Sequence, residues 1–110
     1  MAEIINALTD GVAFKAPAHM SGPSVHKFKK QVIASFESEP KSVVIDFGDV
    51  DFIDVHGLVL LRDLCEVIRV YGVRAFAYRL NGQMQELLVG MELVDDLGDI
   101  KPEAFALMTA

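Results

Sequence analysis

Residues 42–80 read SVVIDFGDVDFIDVHGLVLLRDLCEVIRVYGVRAFAYRL, and this stretch decides the fold. Residues 42–47 are mostly apolar and rich in β-branched side chains, which is typical of a central strand buried on both faces. The apolar spacing of residues 58–70 predicts a helix, and Gly72 follows where a helix end needs a left-handed residue. Residues 73–80 are strand-like again. Strand, helix and strand with short connections predict an α/β domain.

The predicted helix at residues 58–70 has two contrasting faces. Apolar side chains share one face: Leu58, Leu61, Leu64, Cys65 and Ile68. Charged side chains share the other: Arg62, Glu66 and Arg69. We therefore expect the first face to lie on the core and the second to face solvent or a partner.

A strand and a helix are predicted before this stretch. Residues 12–18 resemble a strand interrupted near its end by Pro17, and an Asp10-Gly11 turn would pair it with a strand near residues 4–8. Residues 21–23, Ser-Gly-Pro, mark a helix start. The buried stripe of this helix is predicted to contain Val25, Phe28, Val32 and Phe36. Pro40 marks its end.

Two more helices are predicted after residue 80. Asn81-Gly82 is a turn signal, and a third helix follows at residues 84–89 with Gly90 as its stop. Lys101-Pro102 opens a short last helix that reaches residue 108. The whole pattern predicts a mixed, largely parallel sheet with helices packed on it.

Composition favours one cytoplasmic domain spanning residues 1–110. Hydrophobic residues make up 52% of the 110, enough for a core. No apolar run approaches the roughly 20 residues that cross a membrane, and the first residues lack the pattern of a signal peptide. The single cysteine, Cys65, has no partner for an internal disulfide.

The net charge of −6 argues against nucleic acid or an anionic membrane surface as partner. The chain has one basic cluster, Lys27, Lys29 and Lys30, within the first predicted helix. We interpret it as a solvated helix face.

Signatures of enzymatic chemistry are missing from the sequence. It contains no glycine-rich phosphate loop, no HExxH, no cysteine pair and no G-x-S-x-G elbow. The histidines, His19, His26 and His56, lack metal-ligand spacing. Adjacent side chains such as Asp95 and Asp96 point apart, so a solvated turn is the better interpretation. We expect a non-catalytic binding domain without a metal or cofactor.

Residues 42–80 resemble the STAS domain family, which includes anti-sigma factor antagonists and the C-terminal domains of sulfate-permease-type anion transporters. The resemblance rests on the strand around Asp46, the FID sequence at residues 52–54, Gly57, and the long helix ending at Gly72. FKAPAHMSGPSVHKF before this stretch and MQELLVGMELVDDLG after it also follow the family's spacing. The order and spacing of these motifs together carry the resemblance.

The resemblance implies a switch loop at residues 54–58, formed by Asp54, Val55, His56, Gly57 and Leu58. Antagonists usually have Asp-Ser-Ser-Gly or Asp-Ser-Thr-Gly here, and the hydroxyl before the glycine accepts phosphate from a partner kinase. In this chain that position is His56, and Val55 replaces the other small polar residue. Asp54 is implied as the helix cap. The usual Ser/Thr phosphorylation therefore has no acceptor in this loop.

Three interpretations of His56 remain open. In the first, His56 contributes shape and a hydrogen bond to a binding face. In the second, it marks the loss of the kinase switch. In the third, it accepts phosphate or helps to bind an anion at the helix terminus. The family also implies that the following helix contacts the partner. The outer stripe of this helix contains Val59, Arg62, Asp63 and Glu66, which we expect to face the partner.

Three classes of function follow. The first is an anti-sigma factor antagonist that binds a kinase-type anti-sigma factor and frees a sigma factor. The second is the cytoplasmic regulatory domain of an anion transporter, with the transporter's membrane domain as partner. The third is direct sensing of a nucleotide or lipid, which no sequence feature supports. Homodimerisation is left open.

Overall fold

The computed structural model describes residues 11–80, 82–90 and the short strand at 98–99. Six strands and three α-helices follow one another along these residues. In order they are β1 (Gly11–Lys15), β2 (His19–Met20), α1 (Gly22–Ala34) with a 3-10 turn (Ser35–Ser38), β3 (Ser42–Asp46), β4 (Phe52–Ile53), α2 (Val55–Val70), β5 (Arg74–Tyr78), α3 (Gly82–Gly90) and β6 (Gly98–Asp99).

A four-stranded sheet with the order β1-β3-β5-β6 forms the centre of the described chain. Every pairing in it is parallel, and Val44 of β3 lies between Ala13 of β1 and Phe76 of β5. All residues of β3 are buried, as its apolar sequence predicted. The expected α/β class with a largely parallel sheet is confirmed.

Helices α1 and α2 pack beside each other and supply much of the core. The predicted stripe of the first helix is buried in full, although Phe36 belongs to the 3-10 turn rather than to α1. In α2 the buried side chains are Leu61, Leu64, Cys65 and Ile68. Leu58 is only partly buried, so its predicted place on the core face is only partly confirmed.

The glycine predicted to end α2 has the expected conformation. Gly72 has a φ of 73°, in the left-handed region where a side chain would be strained. Its N–H donates to the carbonyl of Arg69 at 2.9 Å.

Element boundaries differ from several of the sequence predictions. The strand predicted at residues 12–18 is shorter, and residues 19–20 form a separate strand that pairs in parallel with β4. Helix α2 begins at Val55 rather than near Leu58, because Asp54 caps it. Helix α3 extends over Gly82–Gly90, one or two residues longer at each end than expected.

Several predictions fall on residues that the structure does not describe. They are the strand near residues 4–8, Asp10 of the predicted turn before β1, the Asp95-Asp96 turn and the helix at residues 101–108. Within the described residues, none of the helices has the length and apolar character that crossing a membrane requires.

Candidate functional site

The predicted switch loop is the junction between β4 and α2. Asp54 has extended backbone geometry, with a φ of −96° and a ψ of 176°, and its carboxylate accepts a hydrogen bond from the Gly57 N–H at 2.7 Å. Its carbonyl accepts from the Leu58 N–H at 3.0 Å. The Asp54 cap that the resemblance implied is present, and it satisfies a backbone donor of the first helical turn.

Gly57 is the point where the loop touches β2. A methyl group built on Gly57 would lie 2.1 Å from the carbonyl oxygen of Met20 and 3.2 Å from Cγ1 of Ile53. The same Met20 carbonyl accepts a hydrogen bond from the Asp54 N–H at 3.1 Å. The backbone of β2 therefore leaves space at position 57 for a glycine alone.

His56 is exposed and lies against the first turn of α1. A methyl group built on Gly22 would lie 3.4 Å from both Cβ and Nδ1 of His56. The two helix starts border a shallow groove of about 500 Å³. Its lining residues are Gly22, Pro23, His26, His56, Val59 and Leu60. Sequence reasoning found His56 but did not place His26 beside the same groove.

The predicted partner-facing side chains of α2 all point outward. Val59 is 44% exposed, and Arg62, Asp63 and Glu66 are exposed as well. Val55, at the start of the helix, is 74% exposed. A row of exposed valines beside the loop is an apolar feature on an otherwise charged helix face.

A second groove, of about 430 Å³, follows the same pair of helices toward the end of α2. Lys29 of α1 borders it on one side. The other lining residues are Asp63, Glu66, Val67 and Val70 of α2, and Tyr71, which directly follows α2. The Tyr71 ring packs on Phe36 with 4.9 Å between centroids, yet Tyr71 is still 60% exposed.

Comparisons with known proteins identify the family to which the chain belongs. The sequence pattern of the STAS domain family matches residues 3–104. The chain belongs to the STAS domain family. A comparison with curated proteins found no match.

Two solved structures resemble this STAS chain. The STAS domain of a SulP transporter from Vibrio cholerae has a TM-score of 0.71 and 15% identity, covering 99% of this chain and 94% of that one. The structure of SLC26A9 has a TM-score of 0.62 and 15% identity, covering 89% of this chain and 19% of SLC26A9. At this identity the two likenesses concern the fold.

This STAS chain also contains a charge cluster that sequence reasoning missed. Asp46, at the end of β3, is buried, and it accepts hydrogen bonds from Nε and Nη2 of Arg79 at 2.9 and 2.8 Å. The Gly48 N–H donates to the same carboxylate at 2.8 Å. Burial alone would raise the pKa of Asp46, but the hydrogen bonds from Arg79 and Gly48, together with the positive charges of Arg79 and Lys15, outweigh it and hold that pKa below its usual value.

Arg79 reaches Asp46 from an unusual backbone conformation. Its φ is 57°, in the left-handed region that non-glycine residues seldom adopt. A methyl group on Gly48 would lie 2.3 Å from the guanidinium, so a side chain at position 48 would have to displace Arg79 from its place beside Asp46. Because Asp46 and Arg79 are 33 positions apart, no local pattern in the sequence indicates the pair.

A second missed feature lies on the small β2–β4 sheet. The exposed ring of Phe52 stacks on His19 with centroids 4.9 Å apart, and Nδ1 of His19 is 3.5 Å from the Asp51 carboxylate. Phe52 lies two residues before the switch loop. Among the described residues, no group of three or more His, Cys, Asp or Glu side chains could hold a metal ion.

Proposed function

We propose that this chain is a single, non-catalytic STAS domain of the cytoplasm that regulates another protein by binding it. The binding surface is the switch loop, Asp54 to Leu58, together with the outward side chains of α2. The observation that carries the proposal is the exposure of Val55 and Val59 beside a loop whose Asp54 N–H is hydrogen-bonded to the Met20 carbonyl of β2. Preorganised apolar side chains cost little to order when a partner binds.

The proposed binding is constitutive with respect to Ser/Thr kinases. Neither Val55 nor His56 carries a hydroxyl, so the loop has no group that such a kinase would phosphorylate. In the antagonist mechanism, the unmodified loop binds a kinase-type anti-sigma factor and a sigma factor is freed. Here that bound state would not be reversed by phosphate on the loop.

A second candidate is the regulatory domain of an anion transporter. Both structural neighbours favour it, because one is the STAS domain of a SulP transporter and the other is SLC26A9. The partner would then be the membrane domain of the transporter. The missing hydroxyl is compatible with this candidate, since that branch of the family does not depend on a phosphorylated loop. Homodimerisation stays a prediction.

Matched substitutions at two exposed valines test the binding surface. Val59 lies on α2 beside the loop, and Val89, which is 59% exposed, lies on α3. The purified chain, as wild type, Val59→Glu and Val89→Glu, is used to capture partners from the native lysate, and the captured proteins are identified by mass spectrometry. We expect Val59→Glu to lose the specific partner and Val89→Glu to retain it.

The identity of the captured protein then separates the two candidates. An ATP-binding anti-sigma factor supports the antagonist mechanism, and a multispanning membrane protein supports the transporter. Equal capture by both variants would contradict the proposed surface. His56→Asp, which adds negative charge at the phosphoacceptor position, is expected to weaken capture in the antagonist case.

A further inference from the structure

The second groove, beside the end of α2, combines an apolar floor with an apolar ridge. Val67 is half-buried between the two helices and forms the floor. Val70 and Tyr71, one turn further on, border the groove and project from it. Val70 is 78% exposed, the highest fraction among the large hydrophobic side chains that the structure describes. Adjacent exposed apolar side chains of this kind mark surfaces that bind other proteins.

The two walls of the second groove carry opposite charges. Lys29 lies on the α1 wall, whereas Asp63 and Glu66 lie on the α2 wall. Glu66 is already paired with Arg69 at 2.9 Å. Within the described part of the chain, Lys29 and Asp63 form an ion pair neither with each other nor with another residue. The groove therefore presents one unpaired cation and one unpaired carboxylate, each on a different helix.

A partner with a single sign of charge does not fit both walls. An acidic segment would meet Asp63 and a basic segment would meet Lys29, and like charges held together across an interface weaken binding. The complement of the groove must carry both signs in the reverse order, beside an apolar ridge. The groove itself fulfils this condition after a two-fold rotation, because residue i of one copy then meets residue j of the other and j meets i.

We propose that two copies of this chain associate through their second grooves, about a two-fold axis. Lys29 of each copy pairs with the partner's Asp63. Val70 and Tyr71 of each copy form a ridge that packs into the groove over the partner's Val67, as ridges fill grooves between packed helices. The surface lies at the opposite end of α2 from the switch loop, so the dimer leaves that loop free. The proposal does not depend on binding at the loop.

The small size of the groove predicts a weak dimer. Stable interfaces involve roughly 20–30 residues a side, many more than line this groove. We therefore expect a dissociation constant on the order of 100 µM. The oligomeric state should be measured by sedimentation equilibrium of the full chain, at concentrations up to about 1 mM and at physiological salt, where a Debye length of about 8 Å screens repulsion between the more distant charges of the two copies.

Charge exchange across the two-fold axis tests the interface. In a dimer of Lys29→Glu, or of Asp63→Lys, both proposed ion pairs become pairs of like charge. The double variant Lys29→Glu/Asp63→Lys restores opposite charges. An equimolar mixture of the two single variants restores them as well, because one copy of each variant contributes to the mixed dimer. The matched controls are Lys30→Glu and Glu86→Lys, which make the same charge changes at exposed positions that do not line the groove.

We expect each single variant to dimerise about tenfold more weakly than the wild type, or weaker still, because two attractive pairs are replaced by two repulsive ones. The double variant and the mixture should return to within about threefold of the wild type. Both controls should stay within about twofold of it. Circular dichroism of each variant checks that it is folded.

Several results would overturn the proposed dimer. They are a wild type that stays monomeric at about 1 mM, single variants that dimerise as well as the wild type, and a mixture that associates no better than its components. Rescue by the double variant without rescue by the mixture would assign the ion pair to one chain and reject the interface. A monomeric chain that instead captures a different protein through Lys29 and Asp63 would reject it too.

Discussion

At the scale of single residues, Gly57 connects the switch loop to the small sheet. Its hydrogen atoms face the Met20 carbonyl, at a distance where a methyl carbon would overlap the oxygen. In the sequence, Gly57 was noticed because it belongs to the motif of the STAS family. The physical reason is a contact between residues far apart in the chain, which no local rule could reveal.

Gly57→Ala should destabilise the protein by about 2 kcal/mol or more, because backbone rather than a flexible side chain must move. The measurement is the free energy of unfolding in urea. Gly82→Ala is the control, since a methyl group there would meet no atom within 4 Å. Equal stability of the two variants would show that Gly57 does not lie as close to the Met20 carbonyl as described.

The Asp46–Arg79 pair gives a pH dependence of stability. The pKa of Asp46 in the folded chain is below its ordinary value of 3.8. The carboxylate therefore stabilises the fold at pH values above 3.8, and this contribution is lost as the pH falls through the folded pKa. Stability conferred by this pair should be complete at neutral pH and disappear in acid.

Asp46→Asn should lower the free energy of unfolding by about 1–3 kcal/mol at neutral pH, the usual worth of a hydrogen bond to a charged group. The difference from wild type should shrink in acid, as the pH falls through the lowered pKa of Asp46 and the wild-type carboxylate becomes protonated. Urea unfolding at neutral and at acid pH measures this. Asp49→Asn, at an exposed neighbour 4.0 Å from Arg79, should change stability little at either pH. A constant deficit for Asp46→Asn would contradict the assignment.

At the scale of elements, the long helices were predictable and the two-residue strands were not. Helix α1 has a buried stripe at spacings of three and four, and α2 has both a stripe and a glycine with positive φ behind it. Strands β2 and β4 are too short to show a period, and they exist because their backbones pair with each other. Arg79 has a positive φ that its residue type does not indicate.

The start of α2 depends on its cap. Asp54→Ala removes the acceptor of the Gly57 N–H and should cost about 1 kcal/mol, whereas Asp54→Ser keeps a capping oxygen and should cost less. Amide hydrogen exchange should become faster in the first turn of α2 and stay unchanged in β3. If exchange accelerates equally in both elements, the cap supports global stability rather than the loop alone.

At the scale of the whole molecule, residues 42–80 were enough to predict the α/β class, and the alternation of strands and helices predicted a largely parallel sheet, whereas the pairing of β3 with β5 required the structure. The position of β1 on the other side of β3 required the structure, because strand order is set by packing of the helices and not by the strands' own composition. The exposed loop and the outward face of α2 were predicted through the family resemblance. The grooves between α1 and α2 could not be, since they depend on how closely the two helices approach.

The buried position of β3 predicts where the fold is most stable. Its residues pair with β1 on one side and β5 on the other, and Ile45 is completely buried. Ile45→Ala should therefore cost about 2–5 kcal/mol and shift the whole urea transition. In the wild type, amides of β3 should exchange only through global unfolding, more slowly than those of α3. Val89→Ala, at an exposed position of α3, is the control and should change the midpoint little. Faster exchange in β3 than in α3 would mean that the sheet is not the centre of the cooperative unit.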